Sequence, residues 1–71
     1  MIKKISKSIT IIEITHIENS PIVLLKLIAF GKQYVSRFDI MKDMFIDHNL
    51  NHLITIVERE KITNYIKNIE E

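Results

Sequence analysis

Residues 22–30 form an almost wholly apolar run that ends at the only glycine of the chain, Gly31, and is answered at once by Gln33-Tyr34-Val35-Ser36-Arg37-Phe38. Glycine tolerates the left-handed backbone of a two-residue hairpin turn, so Gly31-Lys32 reads as a type II′ turn between two strands. Side chains alternate between the two faces of a strand, and this run is apolar at both parities except at Lys26. The hairpin is therefore greasy front and back. A chain of 71 residues has little material with which to cover both sides.

Residues 9–17 are mostly β-branched, which suits a pleated sheet better than a helix. Asn19-Ser20-Pro21 then supplies a turn, and a three-stranded antiparallel meander follows. Two-residue loops set its register. Ala29 is expected opposite Tyr34, Lys26 opposite Arg37 and Leu25 opposite Phe38, while Glu13 faces Lys26, Ile12 faces Leu27 and Ile11 faces Ile28. One face gathers Ile12, Ile14, Leu25, Leu27, Ala29, Tyr34 and Phe38 as the core. The second gathers Ile9, Ile11, Ile17, Ile22, Leu24, Ile28, Phe30 and Val35, crossed by a charged row of Glu13, Lys26 and Arg37. Glu13 offsets the like-charge contact of Lys26 with Arg37. Ile2, Ile5, Ile9 and Ile12 also fit a helical stripe, so residues 1–8 stay open between helix and strand, with 1–7 readable as a flexible basic arm.

Asp39 is a good N-cap for a helix from Ile40 to about Asn49. Such a helix places Met41, Met44, Phe45 and His48 on its inner side and Asp39, Asp43 and Asp47 on an outer stripe. Leu53-Ile54-Thr55-Ile56-Val57 reads as a fourth strand. A terminal helix over 59–71 carries Ile62, Tyr65, Ile66 and Ile69 on one stripe. The expectation is a single α+β domain over 1–71, a two-layer fold in the order β-β-β-α-β-α with an antiparallel sheet.

The chemistry-bearing residues are sparse. No cysteine is present, which removes disulfides, thiol catalysis and zinc-thiolate sites. One glycine cannot build a phosphate-binding loop. His48, His52 and Asp47 have metal-ligand identities, but Asn49-Leu50-Asn51 between them has the look of a helix terminus, which breaks the shared face a metal needs. His16 reads as a partly buried residue near a strand end, and the three aspartates as a solvated face. No catalytic residue, metal or cofactor is expected, and an enzyme is not the reading. Ten Lys and Arg against nine Asp and Glu leave a net charge of +1, too weak a field to steer the chain to nucleic acid or an anionic membrane. No apolar run approaches the roughly 20 residues of a membrane span, and a cytoplasmic location is expected. Sixteen isoleucines against a single alanine suggest an AT-rich coding sequence, as in a phage or other mobile element.

What remains is association. Large apolar patches rarely stay exposed on a monomer, so a homodimer is expected, joined through this second sheet face, an edge strand or the terminal helix. The leading expectation is a protein-binding module that regulates or inhibits a host or cellular protein, using Glu13, Lys26, Arg37, Ile11, Ile28, Phe30 and Val35. The alternative is nucleic-acid binding through Lys3, Lys4, Lys7 and Lys32, with Tyr34 as a stacking platform.

Overall fold

The structure is a computed structural model that describes residues 2–69. Among these residues are β1 (Lys3–Lys4), β2 (Ile9–His16), β3 (Ile22–Ala29), β4 (Lys32–Asp39), β5 (Met44–Phe45), a 3-10 turn (Leu50–His52) and one helix, α1 (Ile56–Ile69). The strands make a single antiparallel sheet in chain order. The α+β class and the central meander are as expected, but the described residues hold five strands and one helix instead of four strands and two. Met1, Glu70 and Glu71, included in the expected domain and the last two in its terminal helix, lie outside the described residues.

One helix covers one sheet face. Ile62 and Ile66 of α1 share a core with Ile9, Ile11, Val23, Leu25, Leu27, Ala29 and Phe38, extended by Phe45, Leu50 and Ile54. Each buried side chain of this size contributes about 1.5–3 kcal/mol, so this single layer carries the stability of the domain. The helix begins at Ile56 because Thr55 and Glu58 form a capping box. Thr55 N donates to Glu58 Oε1 at 3.1 Å, and Glu58 N donates to Thr55 Oγ1 at 3.3 Å. The strand expected over 53–57 is therefore absent. That run buries Ile54 and turns into the helix.

A bulge in β2 sorts its isoleucines. Pairing follows the expected register from His16↔Val23 to Glu13↔Lys26, then slips at Ile12, so that Ile11 faces Leu27 and Ile9 faces Ala29. One inserted residue inverts the alternation beyond it. Ile9 and Ile11, expected on the second face, are consequently buried in the core, whereas Ile12, expected in the core, is the unpaired extra residue and only half-buried.

The β3–β4 turn is Phe30-Gly31, not Gly31-Lys32, and Ala29 faces Lys32. Both turn residues have positive φ, 53° and 78°, the type I′ geometry whose twist matches that of the flanking strands. Residues keep their expected faces but change partners. Leu27 faces Tyr34, Leu25 faces Ser36, Val23 faces Phe38, and Lys26 faces Val35 in place of Arg37.

The helix expected from Ile40 does not form. Asp39 Oδ1 accepts the amides of Met41 and Lys42 at 2.9 and 3.3 Å, which satisfies one turn. Asp43 then takes φ +55° and reverses the chain. Strand β5 pairs back on β4, with Phe38 opposite Phe45 and their rings edge to face at 4.8 Å. Burial of Phe45 in the sheet core outweighs local helix preference. The expected inner stripe is split, since Phe45 is buried while Met41, Met44 and His48 are exposed. At the other edge Lys3 and Lys4, expected in a basic arm, pair with Ile11 and Thr10 as β1.

Candidate functional site

The sheet face turned away from α1 has no covering layer among the described residues. Leu24, Ile28 and Val35 expose 37%, 37% and 44% of their surface on neighbouring strands, and Phe30 exposes 55% at the hairpin tip. In the middle of this face Lys26 Nζ lies 3.6 Å from Glu13 Oε1, with both side chains substantially open to water. Glu13, Thr15, Leu24, Lys26 and Val35 together line a shallow hollow. Of the residues expected on this face, Ile28, Val35, Glu13 and Lys26 are there. Ile11 is not, because the bulge turns it into the core.

Arg37 leaves the expected charged row for a different partner. It sits opposite Leu24 and forms a two-pronged pair with Asp47, Nη2 to Oδ1 at 2.9 Å and Nε to Oδ2 at 3.1 Å. The Arg37 backbone N–H also donates to Asp47 Oδ2 at 3.0 Å. These side-chain and backbone bonds hold the Asp47 carboxyl at about 2, below its ordinary 3.8, and Asp47 in turn raises Arg37. His48 Nε2 lies 3.0 Å from the Val35 carbonyl, which can only accept, so the proton sits on that nitrogen.

Residues 46–51 thus cap the open side of β4 and β5 with side chains. Asn51 completes the cap by mimicking a neighbouring strand: its Oδ1 accepts from Phe45 N and its Nδ2 donates to Phe45 O, both at 2.7 Å. At the opposite edge β1 is two residues long and both are lysines. Short edges, lysines and side-chain caps are the devices by which sheets resist pairing through their rims. The apolar face is open, the β5 rim is capped, and the β1 rim is short and basic, covering β2 only at Thr10 and Ile11.

The remaining candidates are dispersed. Asp39, Asp43 and Asp47 do not form one stripe: the first caps a turn, the second has left-handed backbone, and the third holds Arg37. No group of three or more His, Asp or Glu among the described residues is placed to hold a metal ion. No helix among them is long and apolar enough to cross a membrane. His16 is exposed at the end of β2. Lys3 Nζ lies 5.7 Å from the centre of the Tyr65 ring, and Lys32 Nζ 5.6 Å from that of Tyr34, so both lysines already have cation–π contacts within the fold.

The sequence offered no signal for Asn51, because its work is defined by a strand that was itself not expected. Comparison with known protein families, with curated proteins and with solved structures finds no match to this chain.

Proposed function

We propose that this chain is a non-catalytic, cytoplasmic protein-binding module that regulates or inhibits a partner protein by contact, with the uncovered sheet face as its binding surface. The observation that carries the reading is the exposed patch of Leu24, Ile28 and Val35 on a sheet face with no covering layer among the described residues. Phe30 adds to it. An aromatic residue in the left-handed region costs roughly 1–2 kcal/mol relative to its relaxed backbone, and this one is exposed, so the fold gains little from keeping it. Strain kept at an exposed aromatic position supports use by something outside the fold. The isoleucine-rich, alanine-poor composition supports a phage or mobile-element origin for such a regulator.

The test places a photo-crosslinking amino acid at Val35 on the open face, or at Lys61 on α1, in cells that naturally make the protein. Adducts with a second protein from Val35 and none from Lys61 are expected. Equal adducts from both positions, or none with any other protein from Val35, would overturn the reading.

A second reading, nucleic-acid binding, has one observation in its favour. The Phe30 amide donates to the Ser8 carbonyl at 2.9 Å, which brings the loop bearing Lys7 to the same end of the sheet as the turn before Lys32. Phe30 and Tyr34 then stand near those cations as stacking surfaces. Oligonucleotide binding with a steep salt dependence is its expected signature, and no binding at low salt removes it.

A further inference from the structure

We infer that, when no other partner is bound, the uncovered sheet face is filled by a second copy of this chain, packed face to face about a two-fold axis near the Glu13 and Lys26 pair. The inference rests on the proposal that this face is the binding surface, and it names the first occupant. Two lysines form the β1 rim and the Asn51 side chain occupies the β5 rim, while the exposed apolar side chains lie on the face between them, so sheet-on-sheet packing is the contact that covers them.

Charge selects the occupant. The centre of the face holds one acid and one base side by side, 3.6 Å apart, flanked by the apolar Leu24, Ile28 and Val35, with Thr15 and Arg37 on the same face. A wholly apolar partner would strip water from both charges and return nothing, and a partner of uniform sign would repel one of them. A two-fold axis solves this with the chain's own residues. It sets Glu13 of each copy against Lys26 of the other, giving four charges of alternating sign. Arg37 and Asp47 hold each other through a two-pronged contact at 2.9 and 3.1 Å, more closely than Glu13 and Lys26 do at 3.6 Å, so the looser pair is the one free to exchange partners.

Size sets the strength. Three strands of eight residues span about 26 Å by about 14 Å, a footprint of roughly 370 Å² before side-chain relief is counted. Stable complexes bury about 800 Å² per partner. The dimer is accordingly weak and exchangeable, and a competing protein can take the face from it.

The experiment measures solution mass by light scattering across a concentration series, for wild type and for Glu13→Lys and Lys26→Glu separately, with circular dichroism to confirm folding. Wild type is expected to pass from monomer to dimer with rising concentration. Each single variant presents two like charges to its own copy and should dimerise about tenfold or more weakly. Mixed in equal amounts they should restore dimer, because each Lys pair then meets a Glu pair across the axis. Pairing within a copy predicts no such rescue. The inference is overturned by a wild type monomeric up to roughly 1 mM, or by folded variants whose mixture stays as weak as either alone. Both results leave adducts between Val35 and another protein possible, so the wider reading fails only by its own test.

Discussion

Asp47 shows how much one side chain can do. It accepts three hydrogen bonds from Arg37 and so seals the β4 rim beside the open face. Its carboxyl is held at about 2 by those bonds, a depressed folded-state value. The stabilisation is therefore fully present above the ordinary carboxyl value of 3.8 and is lost as pH falls toward about 2. In urea titrations the gap between wild type and Asp47→Asn should be widest above about pH 4 and close toward pH 2; a gap constant over that window would refute the assignment. Glu58 is lowered in the same direction, first by the Ser6 hydroxyl, so the variant keeps some acid sensitivity. Phe30 is the opposite case, a residue the turn does not want. Asn-Gly is a preferred type I′ pair, so Phe30→Asn should raise stability by about 1 kcal/mol in the same assay. It should also reduce adducts from Val35 if the aromatic ring serves a partner. A loss of stability on that substitution would show that Phe30 is held for packing.

At the scale of elements, the bulge in β2 decides which isoleucines stabilise the fold and which remain for other use. Deleting Ile12 leaves Ile11 facing Leu27 and Glu13 facing Lys26 as regular neighbours. The alternation is then unbroken, and the shortened protein should keep a cooperative thermal transition and its sheet signal by circular dichroism. Deleting Ile14 instead inverts every residue on one side of that position, and should abolish folding. If the two deletions behave alike, the bulge does not set the register. The bulge was not legible because Ile11, Ile12 and Ile14 are chemically alike, and an apolar run carries no mark of where alternation breaks. The meander and the Glu13 to Lys26 pairing were legible, and the faces of β3 and β4 survived a misplaced turn because moving it by one residue shifts the pairing by two and leaves parity unchanged. The two helical misreadings have separate causes. Asp39 does cap a turn, but the capping signal says nothing about whether a fifth strand will bury Phe45. In the other direction Thr55 and Glu58 carried a capping box in plain sight, and the β-branched run around it outweighed that signal. Of the candidate site, Ile28, Val35, Glu13 and Lys26 were readable from parity alone; the partner of Arg37 was not, because it lies across a turn that propensity placed inside a helix.

For the whole molecule the governing fact is one helical layer on a sheet that is apolar on two sides. The helix face is closed by Ile62 and Ile66, while the face of Leu24, Ile28 and Val35 has no cover among the described residues. Anything that binds the folded form on that face stabilises it by mass action, a second copy included. The melting temperature should therefore rise with protein concentration. Replacing Ile28 and Val35 together by Thr keeps β-branched residues in the strands but lowers the apolar character of the face. At high dilution, where no dimer forms, this double variant should lose only about 1–2 kcal/mol of stability, since both side chains are partly covered by their sheet neighbours. As concentration rises the two should diverge, wild type climbing and the variant staying level. A variant that destabilises the dilute monomer by several kcal/mol would mean that Ile28 and Val35 belong to the fold's own core. A variant that climbs in parallel with wild type would move self-association to some other surface.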